Sequence, residues 1–171
     1  SLVSAGQWLL APTDLAGNNP QPSKRPNIVS NSWGGGGGSN FFQSVVDSWV
    51  AAGIFPAFAN GNAGPGCGTA GSPGDYLNTY AVGAYDSSNT IASFSSRGPS
   101  AFASETKPNI SAPGVNVRSS IPTNSYASFD GTSMATPHLA ATVALMWAAA
   151  PSLIGDIAQT RQILDQTAID T

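Results

Sequence analysis

The chain has 171 residues, a net charge of −3, and only 9% charged side chains. That length is enough for one domain with a buried core, and the charge disfavours nucleic-acid binding, which needs clustered Lys and Arg. No apolar run reaches transmembrane length, and we expect neither a membrane partner nor a targeting segment within this sequence. The single cysteine, Cys67, excludes an intrachain disulfide and is interpreted as a small loop residue.

The chain begins with a helical pattern, a loop and a strand. Apolar residues between Leu2 and Leu10 are typical of the last part of a helix. Asn, Pro and Gln residues between Ala16 and Pro26 indicate a surface loop. A short strand is predicted over residues 27–31, directly before Ser32-Trp33-Gly34.

A run of five glycines, Gly34 to Gly38, follows this strand. A phosphate-binding loop would close with a Lys-Ser/Thr pair, which is absent here. We therefore expect no nucleotide site and interpret residues 36–38 as a flexible loop.

A helix and a second strand come next. Apolar side chains recur at helical spacing at Phe42, Val45, Val46, Trp49 and Val50. Ser39 or Asn40 is the predicted N-cap and Gly53 the stop signal. Residues 54–59 read as a strand, although Pro56 argues against a central, fully bonded position. Strand, helix and strand at this spacing predict a right-handed βαβ unit.

The middle of the chain is predicted to contain two more strands and two turn regions. Residues 80–84 form a short apolar strand, and residues 91–95 alternate as a half-buried strand does. The segments Ser96–Pro99 and Lys107–Gly114 are rich in Pro, Gly and Ser, so we interpret them as turns.

The last part contains a strand pair and two helices. Residues 115–121 and 126–129 are the predicted pair. Residues 139–150 are almost entirely apolar and predict a buried helix, and Ile157 to Ala168 shows a weaker helical pattern. Alternating strands and helices of this kind predict an α/β fold.

One serine, Ser133, lies where the sequence changes from a loop to the long apolar helix. Gly131 permits a tight turn just before it. Unpaired N–H groups and the positive end of the helix dipole favour negative charge at this point. The position suits an acyl-transfer nucleophile, although an ordinary N-cap serine is the alternative.

The stretch Gly131-Thr132-Ser133-Met134-Ala135-Thr136-Pro137-His138 resembles the nucleophile motif of the subtilisin family of serine proteases, Gly-Thr-Ser-Met-Ala-x-Pro-His, and matches every fixed position. The resemblance implies that Ser133 is the nucleophile of a serine endopeptidase and that Thr132 lies beside the oxyanion site. It also implies a subtilisin-like, doubly wound α/β fold, with a mostly parallel sheet and helices on both faces. Residues 1–171 would be the C-terminal portion of one such peptidase domain.

The same resemblance assigns a substrate-binding edge. Subtilisins carry Ser-x-Gly-Gly after a core strand, and Ser32, Trp33 and Gly34 stand at that place here. The edge would pair with the extended backbone of a peptide or protein substrate. Asn31-Ser32-Trp33-Gly34-Gly35 and Ile54-Phe55-Pro56 further resemble the bacillopeptidase F-like branch of the family.

An oxyanion donor is implied by the segment Ala59-Asn60-Gly61-Asn62. Subtilisins read Ala-x-Gly-Asn here, and that asparagine donates its side-chain amide to the oxyanion. The alignment favours Asn62 as the oxyanion donor, with Asn60 as the alternative. Without a functional role, either asparagine would be explained as a turn-forming residue. Ala59, Asn60 and Gly61 are expected to wall the primary side-chain site.

The base and the acid of a serine protease are not found in this sequence. The only histidine, His138, comes five residues after Ser133, about 140° around the helix and about 7.5 Å along it. We therefore interpret it as structural. Asp47-Ser48 and Asp86-Ser87 lack the glycine of the family's Asp-Ser/Thr-Gly motif.

These gaps lead to three expectations. The chain by itself should be inactive, and an N-terminal half of the same domain should supply Asp and His. A piece of a domain should also expose apolar edges. The family implies secretion, and calcium is common in it. However, no cluster of oxygen ligands appears here, so no cofactor or metal site is predicted.

Two other function classes fit some of the residues. A non-catalytic peptide-binding module would use Ser32 to Gly34 as an open strand edge, but it would not need the Ser133 motif. An α/β-hydrolase would place its base histidine well after the serine. No histidine follows His138, which disfavours that class.

Overall fold

The central sheet has four parallel strands in the order β1-β2-β3-β4. This computed structural model describes residues 1–170. The strands are β1 (Ile28–Asn31), β2 (Phe55–Ala59), β3 (Tyr80–Tyr85) and β4 (Ile110–Pro113). A separate antiparallel hairpin, β5 (Val117–Ile121) and β6 (Ser125–Phe129), follows the sheet, as the sequence predicted. Parallel pairing brings the carboxyl ends of β1 and β2 to the same edge.

Four α-helices cover the two faces of the sheet. They are α1 (Leu2–Trp8), α2 (Gln43–Ala51), α3 (Thr132–Ala149) and α4 (Ile157–Thr167). Helix α3 contacts all four strands of the sheet, whereas α2 contacts α1 and β2. The two faces therefore carry separate cores, and the predicted α/β fold with helices on both faces is confirmed.

The alternation of side chains along β2 builds the two cores. Phe55 and Ala57 face α3, and Phe58 faces α2. The first core contains Phe55, Ala57, Tyr80, Val82, Ala84, Ala112, Ala135, Leu139, Val143, Trp147, Ile157 and Leu164. The second contains Phe42, Val45, Val46, Trp49, Ile54, Phe58 and Tyr76. Large side chains on both faces of one strand explain why β2 reads as a continuous apolar run.

Pro56 lies inside β2, although β2 has neighbours on both sides. The N–H of Phe55 donates to Asn27 on the β1 side at 2.8 Å. The nitrogen of Pro56 therefore faces β3. The pairing of β2 with β3 begins one residue later, between Ala57 of β2 and Tyr80 of β3. The proline therefore removes no bond from the sheet, and β2 is a central strand although Pro56 argued against a central, fully bonded position.

Two predictions for the segment between β3 and α3 are wrong. Residues 91–95 are not a strand, because after one bridge from Tyr85 to Ile91 the chain turns back, with Ser95 N donating to Ala92 O at 3.0 Å. Ile110–Pro113, interpreted as turns, is β4 and pairs with β3. Its Pro and Gly neighbours conceal a strand of only four residues.

Two helix details also differ from the prediction. Helix α2 begins at Gln43 after Phe42, without a side-chain cap, so neither Ser39 nor Asn40 caps it. Helix α3 begins at Thr132, earlier than the apolar run suggested, and one side of it is exposed, including Leu145 at 72%. An apolar run in sequence therefore did not mean burial on all sides.

Apolar side chains also lie at the surface on other elements, including Tyr126 and Phe129 of β6. Within the described range, none of the helices has the combination of length and apolar character needed to cross a membrane.

Lys107 is a buried cation in the connection between β3 and β4, with 2% of its surface exposed. Its Nζ lies 3.4 Å from a Glu105 carboxylate oxygen. Burial lowers the pKa of the Lys107 ammonium from 10.5 to about 8, and the nearby Glu105 carboxylate partly opposes this change. The folded chain therefore releases this proton at a lower pH than the unfolded chain does.

A pH dependence of stability follows. Between pH 8 and pH 10.5 the unfolded chain binds more protons at Lys107, so this group makes the free energy of unfolding rise with pH. The contribution is fully present above pH 10.5 and is lost as the pH falls through 8; its upper limit is about 3 kcal/mol. In urea unfolding, the stability difference between wild type and Lys107→Met should therefore grow with pH. Lys24→Met, at an exposed lysine, is the control and should give a constant difference. A constant difference for Lys107→Met as well would contradict the prediction.

Candidate active site

Ser133 is the second residue of α3, at the carboxyl edge of the sheet. Gly131 precedes the helix with φ +152°, a conformation that favours glycine. Its N–H donates to Gly114 O at 2.8 Å, which attaches the turn to the end of β4. The N–H of Ser133 is one of the first-turn donors that an α-helix cannot pair internally.

Ser32 and Ser133 hold each other at the end of β1. Ser133 Oγ donates to Ser32 O at 3.3 Å, and Ser32 Oγ donates to Ser133 O at 2.8 Å. The two residues are 101 positions apart in sequence. The pair places the hydroxyl of Ser133 beside the strand edge that the sequence assigned to substrate.

Asn62 is oriented by Thr132. Its Oδ1 accepts bonds from the N–H and the hydroxyl of Thr132, both at 2.9 Å. The Thr132 hydroxyl also accepts from Gly61 N at 3.3 Å. With Oδ1 engaged, the Nδ2 amide is free to donate elsewhere. A Cβ built on Gly131 would lie 3.6 Å from both Asn62 Nδ2 and Ser133 N, so these two donors border the same space.

These residues line one cleft of about 300 Å³. Its lining is Ser32, Trp33, Gly34, Gly35, Ala59, Gly61, Asn62, Gly71, Thr132 and Ser133. Of the residues that the sequence assigned to catalysis or substrate binding, only Asn60 is not in this lining. The side chains of this lining include three hydroxyls, those of Ser32, Thr132 and Ser133, and the amide of Asn62.

Asn60 is fully buried behind the cleft. Its Nδ2 donates to Ser96 O at 2.7 Å, which connects the end of β2 to a distant loop. Asn62 lies two residues further along and is exposed. The two asparagines that the sequence left as alternatives thus occupy different environments, and only Asn62 lines the cleft.

Two lining residues were missed, Gly35 and Gly71. A Cβ on Gly71 would lie 2.4 Å from Gly35 O, so these backbones approach each other too closely for a side chain. Gly35 could have been included, because it continues the glycine run. Gly71 carried no usable signal, because its loop has no periodic pattern.

Trp33 forms a rigid part of the wall. Its Nε1 donates to Asn31 Oδ1 at 3.2 Å. Its ring packs edge-on against Phe42 and Phe58, with centroids 5.0 and 5.5 Å apart. The second core thus fixes the orientation of this substrate-side residue.

The glycine run is attached to a neighbouring segment. Gly35 N donates to Ser72 O at 2.9 Å, and Gly38 N donates to Asp75 Oδ2 at 2.8 Å. Residues 36–38, interpreted from the sequence as a flexible loop, are thus attached at one end to the buried side chain of Asp75.

His138 lies on the exposed side of α3. Its Nδ1 donates to Met134 O at 2.8 Å. Within residues 1–170, the Ser133 hydroxyl has Ser32 O as its hydrogen-bond partner, and no bond joins it to a histidine. The same described part holds no group of three or more His, Cys, Asp or Glu residues that could bind a metal ion.

A sequence profile of the Subtilase family matches residues 4–171. The chain belongs to the subtilase family. It is 45% identical to bacillopeptidase F of Bacillus subtilis (strain 168), over 98% of this chain and 12% of that protein. It is 40% identical to subtilisin amylosacchariticus of Bacillus subtilis subsp. amylosacchariticus, over 85% of this chain and 36% of that protein. The resemblance inferred from the Ser133 motif is thereby confirmed.

The solved structure of sphericase has the same architecture. Its TM-score is 0.74 at 34% sequence identity, over 82% of this chain and 48% of that one. The fold is therefore subtilisin-like. Subtilases are serine endopeptidases, but this chain spans less than half the length of each of these relatives.

Proposed function

We propose that this chain carries the nucleophile and the oxyanion donor of a secreted subtilisin-like serine endopeptidase. The observation that supports this most directly is the convergence of Ser133 and the free amide of Asn62 on one cleft. In the reaction, Ser133 Oγ bonds to the carbonyl carbon of a substrate peptide, and its proton passes to a base. The C–N bond then breaks, the amine leaves with a proton, and water hydrolyses the acyl-enzyme.

The oxyanion would be bound by two N–H donors. Asn62 Nδ2 and Ser133 N border the same space in front of Gly131. The partial positive charge of the α3 N-terminus adds to their field. Because Thr132 already holds Oδ1, the amide needs little reorganisation when charge develops on the carbonyl oxygen.

The substrate would bind as an extended strand. Ser32, Trp33 and Gly34 follow β1 and line the cleft next to the nucleophile. Their backbone groups supply main-chain hydrogen bonds to a peptide, while Ala59 and Gly61 border the space for its side chain.

The base and the acid would come from an N-terminal segment of the same domain that carries His and Asp. Two observations on the described residues support this division: the Ser133 hydroxyl is bonded to Ser32 O and to no histidine, and the His138 ring is bonded to Met134 O. Residues 1–171 by themselves are then inactive. A binding module without catalysis is the second candidate, and the open backbone edge at Ser32 to Gly34 favours it.

The test is the intact mass of residues 1–171 after treatment with a fluorophosphonate probe, compared with the same chain joined to or mixed with an Asp- and His-bearing segment. We expect no adduct on the chain by itself and one adduct on Ser133 in the assembled form. No adduct in a correctly assembled form, together with retained peptide affinity, would favour the binding module. An adduct on the isolated, folded chain would contradict the proposed division of the triad.

A further inference from the structure

Lys107 makes an unusual set of contacts for a lysine. Its Nζ donates to Tyr76 O at 2.7 Å, to Thr79 O at 3.2 Å and to Asn109 Oδ1 at 3.0 Å. An ammonium has three N–H donors, and all three are used here. The side chain thus crosses from the start of β4 to the segment before β3 and ends there without reaching water.

The segment that Lys107 holds, residues 71–79, has its own turn structure and several buried side chains. Asp75 N donates to Gly71 O and Tyr76 N donates to Pro73 O, both at 3.1 Å. Asp75 is fully buried, as are Tyr76 and Thr79. Without Lys107, the carbonyl oxygens of Tyr76 and Thr79 would lose a charged donor inside the protein, which is costly.

The opposite side of segment 71–79 holds the glycine run. Ser72 O accepts from Gly35 N, and Asp75 Oδ2 accepts from Gly38 N. The hydroxyl of Tyr76 donates to Ser39 O at 2.7 Å. Gly35 lines the substrate cleft, so its position depends on where this segment lies.

Gly71 forms the second backbone wall of the cleft. It belongs to the held segment, and its N–H donates to Asn60 O at 3.0 Å. A Cβ on Gly71 would lie 2.4 Å from Gly35 O, so the wall formed by Gly71 lies directly against that formed by Gly35, and Gly71 cannot carry a side chain. A small displacement of the segment would therefore change the width of the cleft.

We propose that Lys107 is a positioning residue for substrate binding: its ammonium fixes segment 71–79, and this segment sets the two glycine walls of the cleft. Lys107 does not itself line the cleft. The inference deepens the proposed function, because it assigns a residue outside the site to the geometry of the site. Its structural part can be tested without any proteolytic activity.

The first experiment is amide hydrogen exchange on residues 1–171, for wild type and Lys107→Met. We expect the Gly35 and Gly38 amides to exchange about tenfold faster or more in the variant, since one charged hydrogen-bond network is lost. Val143→Ala removes buried side-chain atoms from the first core, which lies between the sheet and α3. It is the control for a general loss of stability. Lys24→Met controls for the loss of a charge. Unchanged exchange at Gly35 and Gly38, or equal acceleration in Val143→Ala at matched stability, would overturn the proposal.

A second measurement does not depend on whether Lys107→Met folds. In wild type, Gly35 and Gly38 should exchange at least about tenfold more slowly than Gly17. Gly17 also has a backbone partner, Asp14 O at 3.0 Å, but in an exposed loop. Equal exchange at all three glycines would show that the walls are not held, and would overturn the proposal. Lys107→Arg retains charge and donors and should restore part of the protection.

The third arm links the walls to the substrate. The affinity of an acetylated tetra-alanine aldehyde for the chain assembled with its Asp- and His-bearing segment is followed by tryptophan fluorescence, since Trp33 lines the cleft. We expect Lys107→Met to weaken binding about tenfold, and Lys107→Arg to recover part of it. If Lys107→Met exchanged the glycine amides faster but bound the aldehyde as tightly as wild type, the role of Lys107 in substrate binding would be overturned. If wild type shows the expected exchange but binds no aldehyde, the held walls are supported and the proposed function fails.

Discussion

Replacing Ser133 by alanine in the assembled enzyme should reduce kcat by about 10⁶-fold, as found for the nucleophile of subtilisin, itself a member of this family. The physical reason is that the other two cleft hydroxyls are engaged: that of Thr132 is buried and donates to Asn62 Oδ1, and that of Ser32 donates to Ser133 O at 2.8 Å. Stability should change little, because the Ser133 hydroxyl makes one long bond of 3.3 Å to Ser32 O. The measurement is steady-state hydrolysis of a peptide substrate together with urea unfolding.

The matched control is Ser128→Ala, at an exposed serine of β6. It removes the same hydroxyl group and should leave both kcat and stability within error of wild type. Residual hydrolysis in Ser133→Ala within tenfold of wild type would contradict the assignment of the nucleophile. On residues 1–171 alone, Ser133→Ala should change nothing, because the proposed mechanism lacks its base there.

Asn62→Leu should lower kcat by about 10²–10³-fold with little change in KM. That magnitude is the one known for the oxyanion asparagine of subtilisin, a member of this family. The reason is that the amide acts on charge that exists only in the transition state. Leucine also leaves the Thr132 N–H and hydroxyl without their acceptor, so stability should fall by about 1 kcal/mol.

Asn18→Leu, at an exposed asparagine in the loop before β1, is the control for the change in side-chain type. A second comparison uses Asn60→Leu. It should lower stability, because Asn60 is buried and donates to Ser96 O. If Asn62→Leu kept full kcat while folded Asn60→Leu lost it, the oxyanion donor would have to be reassigned to Asn60.

Local sequence was sufficient for the family and for the turn that precedes Ser133. The eight residues around Ser133 are contiguous, and the turn at Gly131 and the helix after it follow from residue types within that stretch. The βαβ unit around α2 was equally readable, because the helical spacing of apolar residues and the stop signal agree there: Gly53, at φ +75°, comes directly after the C-cap residue Ala52.

The sequence was a weaker guide to which residues form strands where the pairing partner is distant in sequence. Residues 91–95 alternate like a strand, yet they form a turn because β4 occupies the free edge of β3. Pro56 argued against a central, fully bonded strand. However, β3 starts to pair with β2 only at Ala57, so the missing N–H of Pro56 faces no acceptor. In both cases the register between strands decided the outcome, and register is not a local property.

The candidate site likewise contains residues that the sequence identified and residues that only the tertiary structure identified. Residue types and their order led to Ser133, Asn62 and the edge at Ser32. Each of these residues lies in a short contiguous motif, so its neighbours along the chain are enough to recognise it. Which asparagine faces the cleft depended on contacts with Thr132 and Ser96, 70 and 36 residues away. Gly71 and Lys107 had no signal in the sequence, since their positions follow from hydrogen bonds between loops. Such bonds form only after the cores on both faces of the sheet have brought those loops together.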